Sequence, residues 1–198
     1  LDKTGTITAG EPRIAALYPV NCAEEELLSA ACALEQRSEH PLAKAVMAAC
    51  AERGIRVPGA EELTACPGSG LIGRRAGQLL CGGSEAFVSQ YAVIPEELRT
   101  WAEEQAALGR AILVFSAEDR CLGAAAAADP MQPYSAEAVK ALQRLGLRVA
   151  LLTGDRREAA EAVARQAGIC EVYADVRPDG KANSVKTLQK QGVTVMVG

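Results

Sequence analysis

No run in this 198-residue sequence is apolar for long enough to cross a bilayer. A spanning helix needs roughly 18 to 20 apolar residues, and the most apolar stretch, 122–128, is far shorter. Direct membrane insertion of the chain is therefore not expected. Positive charge is also scarce: 21 Lys and Arg face 25 Asp and Glu, a formal net of −4. Without a basic field, neither nucleic acid nor an anionic surface is an expected partner. Histidine occurs once, and the seven cysteines are odd in number, widely spaced and free of any Cys-x-x-Cys pair. That pattern argues against a Cys/His zinc site and reads as buried, reduced thiols in a cytosolic compartment. Aromatic residues make up only 4%, against 49% hydrophobic and 23% charged, the balance of a globular protein rather than a disordered or collagen-like one. The chain opens on Leu1 with no initiator Met or signal peptide and stops at Gly198. It reads as a piece of a longer protein, holding one domain or two modest ones.

What is present falls into two rhythms. In the first, Asn21 is expected to cap a helix with Ala23, Leu27, Ala31 and Leu34 on one face. A second helix starts near Pro41 and ends at Gly54, with 36–40 as the joining loop. Extended segments follow at 62–66, 71–76 and 78–81, the last two turning at Gly77, then a helix over 95–108 and strands over 111–116 and 121–127. This is the pattern of an α+β unit with an antiparallel sheet. After Asp129 helices and strands alternate: Ser135 caps a helix ended by Gly146, 148–152 is a strand, and Asp155 caps a helix ended by Gly168. Then come a short strand at 172–174, a helix from Pro178 to Gly192 and a last strand at 193–197. That alternation implies a parallel sheet wound with helices, with its sites at the carboxyl ends of the strands.

The chemistry begins at once. In Leu1-Asp2-Lys3-Thr4-Gly5-Thr6-Ile7-Thr8 a carboxylate ends a strand and enters a loop of Lys, Gly and hydroxyl residues. Asp2 there can attack phosphorus when Lys3, backbone N–H groups and Mg²⁺ offset the charges. The run Leu151-Leu152-Thr153-Gly154-Asp155 is a second strand entering a polar loop at a helix start, where a phosphate is favoured. Lys181, near the start of the helix from Pro178, suits a bound anion better than an empty helix terminus.

Together these runs resemble the catalytic motifs of P-type ATPases, the ion pumps that pass through an aspartyl-phosphate. The resemblance implies that Asp2 accepts the γ-phosphate of ATP and, with the Thr4 carbonyl, helps hold Mg²⁺. Thr153, in the matching Thr-Gly-Asp motif with Gly154 and Asp155, contacts the phosphoryl group, as does Lys181. Two positions depart from the family: Arg156 stands where Asn is usual, and Gln132 near a usual basic residue. Asp129 matches an acidic position of the family.

The run Ser38-Glu39-His40-Pro41-Leu42 places the single histidine at a helix start, where the dipole favours the neutral ring. It resembles the signature of the heavy-metal branch of that family, in which this His orients the adenine end of ATP and the Glu matching Glu35 contacts adenine. Gly68-Ser69-Gly70-Leu71-Ile72-Gly73 fits G-x-G-x-x-G but enters a strand, so it is no dinucleotide fingerprint. Gly68, Gly70 and Leu71, with Gly83, match the branch's glycine contacts, where a missing Cβ lets backbone approach the nucleotide. Ser84 replaces a common Asn.

The resemblance implies an α/β fold like the haloacid dehalogenase superfamily, formed by 1–12 with 120–198 as the phosphorylation domain, interrupted by an α+β nucleotide-binding domain at 13–119. Closure of one over the other needs hinges near 9–13 and 118–124. The implied function is MgATP-dependent aspartyl-phosphate formation driving transport of a metal ion. Copper is the expected cargo on the prevalence of copper pumps. ATP and Mg²⁺ are the implied ligands, the transmembrane and actuator domains of a parent pump the implied partners, and the cytoplasmic face of a membrane the implied location. The family's Gly-Asp-Gly-x-Asn-Asp motif would begin at Gly198, so the isolated chain is expected to bind ATP but phosphorylate itself poorly, with a sheet edge open to pairing. Two alternatives are a haloacid dehalogenase-type phosphatase, disfavoured because Thr4 replaces its second Asp, and a non-catalytic nucleotide-binding module.

Overall fold

The computed structural model describes every residue except Arg177 and Gln191, together with the side chains of Pro178, Asp179, Lys181 and Ser184, which lie outside the described residues. The chain forms two compact units, 12–106 with 110–128, and 1–11 with 107–109 and 129–198.

The first unit is built on a six-stranded antiparallel sheet. Its strands are β1 (Arg13–Pro19), β2 (Glu61–Cys66), β3 (Gly70–Arg75), β4 (Gln78–Gly83), β5 (Ala111–Ala117) and β6 (Arg120–Ala128). Their order is β1-β6-β5-β4-β3-β2. Alternation along the strands divides two cores, because successive side chains point to opposite faces. Leu80, Phe115, Leu122 and Ala125 pack on one side against α1 (Glu24–Glu35) and α2 (Pro41–Glu52). Cys81, Val114, Cys121 and Ala124 pack on the other with residues of α3 (Glu85–Val88) and α4 (Glu96–Ala107), namely Phe87, Val88 and Leu98. The alanines of β6 are buried between β1 and β5, where small side chains let the layers approach. Trp101 is half-buried, its ring 5.4 Å from that of Tyr18.

The second unit carries parallel strands β7 (Ala150–Leu152) and β8 (Glu171–Tyr173) with helices α5 (Ser135–Arg144), α6 (Arg157–Ala167) and α7 (Pro178–Gln189). Ile7, Val139, Leu151, Ala164, Ala167 and Ile169 form its core.

Several local expectations are corrected. Residues 120–128, expected in the phosphorylation domain, are a strand paired on both sides within the six-stranded sheet, so the span 118–124 is sheet and tight turn. Strand β1 and helix α3 were not anticipated. Asn21 does not cap α1, whose cap position is Ala23 with no side-chain bond. Ser135 lies inside α5 and gives its hydroxyl to the Ile7 carbonyl, 2.9 Å away. Asp155 does not cap α6, because its carboxylate is drawn to Lys3. Residues 193–197 form no strand: among the described residues a single backbone bond, from Asp2 N–H to the Val197 carbonyl at 2.8 Å, joins the segment to its neighbour.

Candidate active site

Two chemically distinct clusters emerge, one in each unit. The first grows from the sheet of the α/β unit. The Leu1 amine donates to the Ala150 carbonyl at 2.7 Å and Leu152 N–H to the Leu1 carbonyl at 2.9 Å. Asp2 consequently pairs in parallel with Leu152. Two parallel strands that end level deliver their following loops to the same place. The loop after Asp2 therefore meets Thr153-Gly154-Asp155.

Within the first loop, the Asp2 carboxylate accepts Lys3 N–H at 3.0 Å, and the chain turns over residues 3–7 before Thr8 N–H closes on the Lys3 carbonyl at 2.9 Å. The turn needs Gly5 at φ 77°, a left-handed conformation that glycine adopts without Cβ strain. Lys3 is largely buried, and its Nζ lies 2.5 Å from Asp155 Oδ2. That ion pair couples the two loops. Thr153 is 3% exposed; its Oγ1 accepts Asp155 N–H at 3.2 Å, which leaves the hydroxyl proton to donate. Gly154 is exposed and Thr4 is exposed with extended backbone. Gly198 presses against the Asp2 side chain: a Cβ added there would come 2.7 Å from Asp2 Cβ. The side chain of Lys181 lies outside the described residues, although its backbone belongs to α7.

Sequence reasoning did not see what braces this loop. Thr8 is fully buried, and its Oγ1 is 2.6 Å from Asp129 Oδ2. The other carboxylate oxygen accepts Gly10 N–H at 2.9 Å and Glu11 N–H at 3.2 Å. The signal was available in Asp129 before Pro130, but not its partners, which lie about 120 residues away.

As for metal, no three His, Cys, Asp or Glu side chains cluster among the described residues. A hard divalent ion such as Mg²⁺ does not require such a cage, since one or two carboxylates with substrate phosphates and water suffice. Asp2 and the adjoining loop oxygens fit that donor set. An apolar hollow of about 450 Å³ nearby is lined by Leu1, Leu142, Val149, Leu188 and residues 193–197; it includes none of these polar groups.

The second cluster lies in the six-stranded unit. Glu35 ends α1 and is only 7% exposed. Burial pushes its carboxyl pKa up from 4.5, opposed by a hydrogen bond with Ser38 and by nearby His40. His40 caps α2, its Nδ1 accepting Leu42 N–H at 3.2 Å. An accepting Nδ1 places the ring proton on Nε2, an outward donor on an exposed side chain. Glu35 and His40 are thus brought together. The glycines divide. Gly70 and Gly83 are paired across β3 and β4, and a Cβ on Gly70 would fall 2.2 Å from the Gly82 carbonyl and 2.5 Å from Phe87. A Cβ on Gly83, at φ 152°, would fall 2.3 Å from the Ser69 carbonyl. These two are needed by the fold itself. Only Gly68, at φ 74°, faces open space. Leu71 packs inward on the α1 side of the sheet, and Ser84 caps α3 by accepting Phe87 N–H at 3.3 Å.

Glu35 yields a pH prediction. Its folded pKa is raised, so its contribution favours the fold below the unfolded value and is lost as pH rises through the folded one. Glu35→Gln should therefore melt higher than the parent at neutral pH and lose the fall in stability that the parent shows as pH rises above the ordinary carboxyl range. Fluorescence of the single Trp101 reads this directly; a lower melting temperature at pH 7 would contradict the assignment.

Comparison with known proteins covers both clusters. The family model for haloacid dehalogenase-like hydrolases matches residues 1–198. Copper-transporting ATPase 1 of Rhizobium meliloti is 39% identical over 97% of this chain and 23% of its own length. The copper-exporting P-type ATPase of Bacillus subtilis is 38% identical over 100% of the chain and 25% of its own. The chain thus spans about a quarter of the curated relatives it matches. The crystal structure of a zinc-transporting PIB-type ATPase in the E2.Pi state superposes with a TM-score of 0.85 at 32% identity, covering 100% of this chain and 32% of that one.

Proposed function

The chain belongs to the haloacid dehalogenase-like hydrolase family, and we propose that it is the ATP-binding and phosphorylation region of a heavy-metal P-type ATPase, as its similarity to such pumps supports. The observation that carries this reading is the parallel pairing of Asp2 with Leu152, which sets a carboxylate beside a buried Thr hydroxyl with Lys3 bridging to Asp155. Asp2 is the nucleophile for the γ-phosphoryl of ATP, and the acyl phosphate formed is later hydrolysed. Thr153 donates its hydroxyl to a phosphoryl oxygen, and Lys181 adds a positive charge there. The Lys3–Asp155 pair holds the two loops in register and fixes where Asp2 presents its oxygens. Catalysis of this kind rests on positioning and charge neutralisation. Asp2 and the Thr4 carbonyl would hold Mg²⁺, which would offset phosphate charge there.

Nucleotide recognition falls to the six-stranded unit. The buried Glu35 accepts from the adenine amino group, the outward Nε2–H of His40 donates, and Gly68 leaves room for close approach. Gly70, Leu71 and Gly83 shape the wall behind it. The remainder of the pump supplies transmembrane and actuator domains, and this region works at the cytoplasmic face. The names of the relatives favour copper as cargo.

Calorimetric titration with ATP, with and without Mg²⁺, tests the nucleotide assignment. His40→Ala should weaken binding at least about tenfold, the loss of one good polar contact with its desolvation penalty, while Asp2→Asn stays within about twofold of the parent. Normal binding by His40→Ala would remove the heavy-metal reading of that cluster.

A further inference from the structure

Resting on the nucleotide reading above, we propose that Glu35 reads adenine as the neutral acid: its carbonyl oxygen accepts from the N6 amino group, its O–H donates to ring N1, and ATP affinity falls as pH rises. Adenine presents a donor at N6 beside an acceptor at N1, and a carboxylic acid presents the matching pair. An ionised carboxylate only accepts, so it keeps the N6 bond and turns a lone pair on N1.

The surroundings of Glu35 favour the neutral form. Among the described Asp and Glu side chains it alone is buried, at 7% exposed. A carboxylate taken out of water needs a cation beside it, and otherwise holds its proton. The elements around α1 do not supply one. In the loop after α1, Arg37 and Glu39 are exposed, as are Lys44 and Glu52 on α2. Arg53, at the end of α2, faces Glu24 at the opposite end of α1. Strands β4 and β5 carry no charged residue. On β3, Arg75 donates to the Ser29 carbonyl at 3.0 Å and Arg74 pairs with Glu62; on β6, Arg120 pairs with Glu26, and Arg13 of β1 is exposed. The titratable neighbour is His40. It works toward the ionised form, as does the hydrogen bond with Ser38, but burial outweighs both and carries the carboxyl pKa above its ordinary value.

The backbone holds the two readers in place. Ser38 N–H closes on the Glu35 carbonyl at 2.9 Å, and the chain enters α2 two residues later at His40. The acid and the outward Nε2–H thus belong to one short loop. Only the protonated fraction of Glu35 makes both bonds to the base. As pH rises through the folded pKa that fraction shrinks, binding takes up a proton, and affinity drops by up to about tenfold per pH unit.

The test is calorimetric titration of the 198-residue chain with MgATP, and with an analogue carrying C–H in place of N1, from about pH 5 to about pH 8.5. ATP affinity is expected to fall across that range and affinity for the analogue to stay level relative to it; both carry the same phosphates, so phosphate titration cancels. Glu35→Gln offers a carbonyl and an N–H at every pH. It should bind ATP within about twofold of the parent's low-pH affinity and lose the fall, whereas Glu35→Ala binds about tenfold or more weakly throughout. ATP affinity that is level or rises with pH, an analogue that falls as steeply as ATP, or a Glu35→Gln variant that keeps the parent's slope overturns the proposal and leaves the nucleotide reading standing. A parent that binds ATP at no pH ends both.

Discussion

Gly70→Ala destabilises the six-stranded unit by about 3 kcal/mol, and Gly68→Ala by only about 1 kcal/mol, although both lie in one glycine-rich turn. The difference is steric. An added methyl at 70 meets the Gly82 carbonyl at 2.2 Å and the Phe87 ring at 2.5 Å, so either the β3–β4 pairing or the Phe87 core must move. At 68 the methyl meets nothing within 4 Å, and the cost is the left-handed backbone alone. Gly70→Ala loses ATP binding because the wall is displaced, whereas a loss in Gly68→Ala reports contact with the nucleotide. Denaturant titration followed by Trp101, which lies in this unit, separates the two effects. Equal stability of the variants would contradict the packing account.

Asp129→Ala should destabilise the α/β unit by about 2 kcal/mol, since three hydrogen bonds to a carboxylate are lost, while the buried Thr8 hydroxyl keeps the Lys3 carbonyl, 3.0 Å away, as its acceptor. The effect is discounted for the exposure of the Gly10 and Glu11 bonds. The local readout is hydrogen exchange: the Gly10 and Glu11 amides lose protection first. Asp129→Asn keeps an acceptor for those amides and should fall between the parent and Asp129→Ala. Unchanged protection in Asp129→Ala would remove the bracing role.

The meeting of the two polar loops was more legible than the joinery. Strands ending in Asp2 and Thr153 announce themselves because a hydrophobic run stops at polar loop residues, and parallel strands put such loops at one end. His40 was readable as a cap because its proline at the next position fixes the helix start. Two of the three misread caps share one cause. Asn, Ser and Asp favour helix starts locally, but Ser135 and Asp155 found distant partners in Ile7 and Lys3 worth more than the local bond. Strand β1 escaped notice because Arg-Ile-Ala-Ala-Leu-Tyr-Pro shows no clean alternation, and the alanines of β6 that it pairs with lie more than 100 residues away. The glycines at 70 and 83 look like ligand contacts in sequence, since the Phe87 ring and Ser69 carbonyl that occupy their missing Cβ space are invisible there.

The most direct test of the central claim is where phosphate goes. The chain is incubated with Mg²⁺ and γ-labelled ATP, quenched in acid and reduced with borohydride, which converts an aspartyl-phosphate to homoserine. Slow labelling of one site, with homoserine at position 2 and no label in Asp2→Asn, is the result this account predicts. Label that persists in Asp2→Asn, or that maps to any other residue, would contradict it.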